Sequence, residues 1–308
     1  MKKYKLITHN DLDAVGTVIL ADIAFLGNID VTYCDYKNID ETAMALTVGD
    51  LAKYEKIFFT DISMSFRVAN IIDTLLKMAD VKDKIVLLDH HKTALELNAF
   101  EWATIKVEED GEPVCGTRLF FNYLNEYLGI SKDEVSSWLL NFVEVVNRYD
   151  TWLWKTKYND DIPRQLNQLL YLQGREKFIE EILTKLEYNE PLLSEDDLEL
   201  LREEDIKIDK YINNKEKSLI QGDIQGYKIG LVFAEQYISQ LGHELAVRYP
   251  ECDIIAIFNN NKLSLRSNKD HIDCSEFAQR FGGGGHKGAA GMSLTQEQLQ
   301  NMLLVMFL

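Results

Sequence analysis

The opening part of the chain alternates short apolar runs, rich in β-branched and aromatic residues, with longer stretches of helical spacing. YKLIT, AVGTVILADIAFL, VTYC, KIFFTDI, VANIIDTLLKM and KIVLLDHH follow one another. Short runs bounded by polar turns predict strands buried on both faces, and the longer ones between them predict helices. That βαβα order predicts a parallel sheet covered by helices. CGTRLFFNYLNEYL and DEVSSWLLNFVEVVNRY predict two more helices, ending at Tyr149-Asp150 before the aromatic segment TWLWKTKY. The pattern then changes: REKFIEEILTKLEYNE and SEDDLELLREEDIKIDKYINN are acidic and helix-forming, a connector with a solvated face. A second β-rich stretch follows, with YKIGLVFA, CDIIAIFN and KLSLRS, then SEFAQRF and GGGGHKGAAG. The expected fold class is α/β in two lobes: an N-terminal parallel-sheet domain over 1–155, a helical connector over 156–219 and a smaller α/β domain over 220–308.

A length of 308 residues with 46% hydrophobic content lets each of two domains bury a core. No apolar stretch reaches the roughly 20 residues needed to span a bilayer, so no membrane is expected and a cytoplasmic protein is the default. Cys34, Cys115, Cys252 and Cys274 are far apart and lack CxxC spacing, which predicts reduced, buried thiols. The net charge of −17, from 50 acidic and 33 basic residues, argues against gripping a long duplex nucleic acid through many phosphates. A small anionic substrate remains open, because a local cation cluster outweighs acidic groups beyond a Debye length of about 8 Å.

The chemistry-bearing residues gather at predicted element ends. YKLIT runs into His9-Asn10-Asp11-Leu12-Asp13, KIFFT ends on Asp61, and IVLLDHH ends on Asp89, His90 and His91. Singly, Asp13 or Asp89 is equally a helix cap, Asp61 a turn carboxylate, and each histidine a satisfied imidazole. Parallel strands put their carboxyl ends on one edge, however, so His9, Asp11, Asp13, Asp61 and His90 can converge there. Carboxylate with neutral imidazole suits Mn2+, with Mg2+, Zn2+, Co2+ or Fe2+ competing. So many acids together repel one another unless cations neutralise them, which favours two divalent metal ions. In the second lobe GGGG can bring backbone amides close to an anion, although such a run is equally a flexible loop. His286 and Lys287 follow it directly, and KLSLRS brings Ser267 and the planar guanidinium fork of Arg266, suited to phosphate.

THNDLDAVG, FFTDIS, LLDHHKT and NRYDTW together resemble the four ordered motifs of the DHH phosphoesterase superfamily. HNDLDAVG is similar to the opening of NrnB-type oligoribonucleases, and LSLRS with FGGGGHKGAAG resembles the DHHA1 substrate-binding domain. The resemblance implies that His9 and Asp11 hold one metal, that Asp13, His90 and Asp150 hold the other, and that Asp61 bridges them. Asp150 alone reads as a helix-end or turn residue. The resemblance further implies that Asp89 orients an imidazole or a water, that His91 faces the substrate phosphate and is a candidate acid for the leaving group, and that Arg266, Gly283, Gly284 and His286 bind nucleotide.

The expected activity is metal-dependent hydrolysis of short RNA or linear dinucleotides to 5′-mononucleotides. The alternatives are a 3′-phosphoadenosine 5′-phosphate phosphatase, a cyclic nucleotide phosphodiesterase and, from another class, a nucleotide-binding sensor without turnover. A homodimer is compatible with this picture.

Overall fold

In a computed structural model, which describes residues 2–81 and 83–306, the chain divides into two compact units, Met1–Leu198 and Glu199–Leu308. The first unit opens with β1 (Tyr4–Thr8), α1 (Leu12–Phe25), β2 (Ile29–Tyr33), α2 (Ile39–Met44), α3 (Val48–Lys53), β3 (Ile57–Thr60), α4 (Phe66–Met78), β4 (Ile85–Asp89) and β5 (Ala103–Ile105). All five strands are parallel, in the order β2-β1-β3-β4-β5. β1 and β3 lie side by side although a strand intervenes in sequence, so winding reverses between them. Ligands of doubly wound sheets bind at the carboxyl edge of that reversal. Register aligns the edge: Thr8 pairs with Thr60 and Thr60 with Leu88, which brings the next residues, His9, Asp61 and Asp89, into line.

Burial on both faces explains the unbroken apolar strands. On one face Ile7, Phe59 and Leu87 pack with Val68, Ile72 and Leu76 of α4 and Leu51 of α3. On the other, the Phe58 ring meets Phe120 edge-on at a centroid distance of 5.2 Å. Each fully buried phenylalanine contributes about 1.5–3 kcal/mol. Phe120 belongs to α5 (Gly116–Leu128), reached through a small hairpin, β6 (Glu108–Glu109) and β7 (Glu112–Pro113). The approach of α1 to α5 is close enough to exclude a side chain: a Cβ on Gly16 would lie 2.3 Å from Thr117 Oγ1. Hydroxyls of Thr8, Thr17 and Thr60 form a buried hydrogen-bonded cluster joining β1, α1 and β3 just beneath the edge.

After α6 (Ser137–Asp150) come α7 (Ile162–Gln173), α8 (Arg175–Tyr188) and α9 (Glu195–Glu216). Of the segment read as a connector, residues up to 198 belong to the first unit and the remainder to the second. Lys185 of α8, buried, meets Asp197 of α9, which also caps the helix start through the Ser194 N–H and hydroxyl.

The second unit contains β8 (Ile220–Ile224), β9 (Tyr227–Phe233), α10 (Ile238–Arg248), β10 (Ile254–Asn259), β11 (Lys262–Arg266), α11 (Cys274–Gln279), β12 (Gly284–His286), β13 (Ala289–Ser293) and α12 (Gln296–Met306). Its sheet runs β12-β13-β11-β10-β9-β8, parallel between β9 and β10 and antiparallel elsewhere. Sequence patterning missed α2, α3, β5 to β8, β12 and β13, all too short to carry a usable apolar period, and it also passed over the two longer helices α10 and α12.

Candidate metal centre

β1 delivers His9 and Asp11 to the reversal point. Asp11 caps α1, accepting from the Ala14 N–H at 3.1 Å, while its other oxygen lies 2.9 Å from His9 Nδ1. Burial pushes the Asp11 carboxyl up, but the His9 and Ala14 hydrogen bonds outweigh it and hold the group at about 2. Asp13, in the first turn of α1, is buried and plugged onto the start of α5: its oxygens accept from the Gly116 and Thr117 N–H groups at 2.6 and 2.7 Å. The positive end of the helix favours this carboxylate.

β3 ends where Asp61 takes a left-handed backbone, φ 57°, a conformation that aspartate tolerates better than most residues. Its N–H donates to Leu88 O across the sheet at 3.1 Å, and its side chain turns into the cluster. Oδ2 of Asp61 is buried and has no hydrogen-bond partner among the described residues. Burial first, then the charges of Asp13, Asp11 and Asp150, raises the Asp61 carboxyl well above its ordinary value. Asp150, the last residue of α6, is raised well above its own by burial and then by Asp13 and Asp11.

β4 contributes the remainder. His90 Nε2 lies 3.2 Å from Asp61 Oδ1, 3.5 Å from Asp150 Oδ2 and 3.7 Å from Asp13 Oδ2. Asp89 lies beside them: donor atoms of Asp61, Asp89, His90 and His91 are mutually within 4.8 Å. One of its oxygens accepts from the His90 N–H at 2.8 Å and lies 2.7 Å from His91 Nδ1, and the other accepts from the Ser63 hydroxyl. Burial raises the Asp89 carboxyl, but the His91 hydrogen bond outweighs it and the net shift is downward. The same bond raises His91.

Besides that four-residue group, two three-residue groups stand side by side: His9, Asp11 and Asp61, and Asp13, His90 and Asp150, each with donor atoms mutually within 4.8 Å. Asp61 touches both through His90. The donor set fits a pair of divalent cations, because buried carboxylates raised by mutual repulsion and an unpartnered buried oxygen are what a bound cation would relieve.

Three contributors escaped the sequence reading. Gly116 and Thr117 act through main-chain N–H groups, which carry no side-chain signature. A Cβ on Gly116 would lie 2.9 Å from both Asp13 Oδ2 and Asp61 Cβ, so only glycine fits. Ser63 was overlooked within FFTDIS, although its place two residues after Asp61 could have flagged it. All four cysteines are free and buried.

In the second unit, Arg266 ends β11 with its guanidinium donating to Leu265 O and Ser239 Oγ at 2.9 and 3.1 Å. Burial lowers its pKa from the ordinary value. Ser267 continues the chain and donates its N–H to Gly288 O. The glycine run is largely a packing solution: a Cβ on Gly283 would lie 2.3 Å from Gly291 O and one on Gly285 2.5 Å from Ala290 Cα, whereas Gly284 faces open space. His286 and Lys287 are exposed beside it.

A carboxylate–histidine cluster at the reversal point of a parallel sheet defines a candidate metal centre of the hydrolase type, and comparison with known proteins supplies the family. The DHHA1 domain family matches residues 235–306. Oligoribonuclease NrnB of Bacillus subtilis is 34% identical over 300 residues, covering 96% of this chain and 73% of that protein. A 3′,5′-cyclic-nucleotide phosphodiesterase of Helicobacter pylori is 23% identical, covering 94% of this chain and 92% of that one. Among solved structures, RecJ of Thermus thermophilus in complex with Mn2+ shares the fold, with a TM-score of 0.57 at 12% identity over 97% of this chain and 51% of that one. The chain belongs to the DHH phosphoesterase superfamily and carries its DHHA1 domain. It is a phosphoesterase hydrolase. No helix among the described residues is long and apolar enough to cross a membrane.

Proposed function

We propose that this protein is a metal-dependent phosphodiesterase that hydrolyses short oligoribonucleotides or linear dinucleotides to 5′-mononucleotides. The observation that carries the metal-dependent chemistry is the pair of three-residue groups linked through buried Asp61. The extensive identity to an oligoribonuclease supports the substrate class. His9, Asp11 and Asp61 would hold one cation, Asp13, His90 and Asp150 the other, with Asp61 shared and Mn2+ the preferred ion. When bound, the pair would supply positive charge to the phosphate oxygens and ease deprotonation of the attacking water.

The remaining work falls to the chain itself. Asp89 holds the His91 ring through Nδ1, and the other ring nitrogen, Nε2, can pass a proton to the departing 3′-oxygen. The Asp89 carboxylate against Nδ1 favours the proton-loaded form this role requires. Ser63 steadies Asp89, and the α5 amides fix Asp13. Arg266, Ser267, Gly283, Gly284, His286 and Lys287 are proposed to hold the nucleotide and so set length preference.

The testing experiment is a panel of RNA dinucleotides to decamers, cyclic mononucleotides and 3′-phosphoadenosine 5′-phosphate, assayed with Mn2+. The account expects kcat/KM to be greatest at two nucleotides and to fall with length. Undiminished kcat/KM at ten nucleotides would refute the short-substrate reading. The Helicobacter relative supports a second reading, cyclic nucleotide hydrolysis, which the same panel would reveal as preferred turnover of the cyclic substrate.

A further inference from the structure

Tyr36 has no part in the assignments above, yet it is fastened to the centre. It lies in the turn between β2 and α2, and that turn is rigid. Asp35 Oδ1 accepts from the Lys37 and Asn38 N–H groups at 2.8 and 3.2 Å, Asn38 Oδ1 accepts from the Asp35 N–H at 2.8 Å, and the Cys34 N–H donates to Thr8 O at 2.8 Å. The Tyr36 hydroxyl lies 3.2 Å from His91 Nε2, and its ring centroid lies 5.2 Å from that of His9, tilted by 42°. Held by both histidines, the residue is still 62% exposed. A large aromatic side chain fixed in one rotamer with a face open to solvent has already lost the freedom that stacking would otherwise remove.

Cations beside carboxylates grip a phosphate and are nearly indifferent to what flanks it. Discrimination of a nucleic acid from other phosphodiesters therefore needs a separate contact within a nucleotide's reach of the scissile phosphate. An aromatic face serves any base, since every base has a π-face. We propose that Tyr36 is a stacking platform for a nucleobase flanking the scissile phosphate, and so a specificity-determining residue. This rests on the oligonucleotide reading above. The face gives selectivity for nucleotides over other diesters without choosing among sequences.

The test pairs binding with turnover. Binding is followed by the fluorescence of a dinucleotide carrying 2-aminopurine, in calcium buffer, for wild type, Tyr36→Phe and Tyr36→Leu. Turnover is followed with Mn2+ on RNA dinucleotides and on a base-free analogue of two riboses joined by a 3′,5′-phosphodiester. Wild type and Tyr36→Phe should quench the fluorophore and Tyr36→Leu should lose most of that quenching. The KM of Tyr36→Leu for dinucleotides should rise about 5- to 150-fold, the size of one base–aromatic stack. The loss should fall on KM rather than kcat, and the preference for dinucleotide over base-free analogue should shrink by the same factor. Quenching by Tyr36→Leu equal to wild type would overturn the proposal. So would an equal KM rise on the base-free analogue, which would make Tyr36 a support for His91 instead. Wild-type quenching without hydrolysis of any dinucleotide would sink the phosphodiesterase reading and leave the platform standing.

Discussion

The carboxyl edge of the first sheet and the glycine-rich edge of the second are the two places where chemistry-bearing residues gather, and they are built on opposite physics. At the first, buried carboxylates are forced together until Asp61 and Asp150 resist ionising, and one oxygen of Asp61 is left without a partner among the described residues. Such an arrangement works against the fold unless cations occupy it. At the second, Gly283 and Gly285 let β12 lie against the β13 backbone, and the side chains of His286 and Lys287 stand in solvent. That edge is comfortable as it stands. A residue that opposes folding is direct testimony to function, whereas a glycine run that packing already explains must be tested by its ligand.

The sharpest way to break this contrast is Asp61→Asn, which keeps shape and tolerance of the left-handed backbone while removing charge. Turnover should fall by two to three orders of magnitude, about 3–4 kcal/mol of transition-state stabilisation. In chelator, the same variant should melt at a higher temperature than wild type. A wild-type rate, or a lower Tm in chelator, would mean that Asp61 neither serves cations nor opposes folding.

Arg266→Ala and His286→Ala come next. Removal of one charge-assisted phosphate contact should weaken dinucleotide binding by about 1.5–3 kcal/mol, seen mainly in KM. Unchanged KM in both would take the second unit's edge out of substrate binding.

Packing gives a third comparison. Gly116→Ala crowds Asp13 and Asp61, and Gly283→Ala strikes Gly291 O, so each should cost about 1–3 kcal/mol in chemical denaturation. Only Gly116→Ala should also weaken Mn2+ binding by calorimetry. Gly284→Ala, with nothing within 4 Å of its Cβ, should leave stability near wild type.

The smallest effect is in pH. Asp61 and Asp150 have folded values raised above the ordinary 3.8, so their contribution is fully present below that value and is lost as pH rises through the raised ones. Asp11 is held at about 2, and its contribution is present above the ordinary value and lost only as pH falls toward 2. In chelator, stability attributable to Asp61 and Asp150 should therefore decline upward from weakly acid pH, and the gain in Tm on adding Mn2+ should grow over the same interval. Thermal melts across that range, with and without metal, measure both. A metal-induced shift independent of pH would contradict the assignment of these two carboxylates as ligands.

Much of the first site was legible because strand ends are legible. Apolar runs of a few residues that stop at His9, Asp61 and Asp89 announce both the strands and the edge they share. Asp150 was not legible from pattern: it ends a helix far along the chain, and only the family motif singled it out. Tyr36 lay hidden in a polar turn, where aromatic residues carry no period, and Gly116 and Thr117 act through backbone amides. In the second unit, GGGG read equally as an anion cradle or a loose loop. Distinguishing either from a strand packed against its neighbour requires the distance to β13, which no local pattern encodes.

The central claim is that the carboxyl edge of the first sheet holds two cations through a shared Asp61. Anomalous diffraction from crystals grown with Mn2+ tests it most directly. Two peaks are predicted, one bounded by His9, Asp11 and Asp61, the other by Asp13, His90 and Asp150, with Asp61 ligating both. A single peak that Asp61 does not touch, or none at saturating Mn2+, would contradict it.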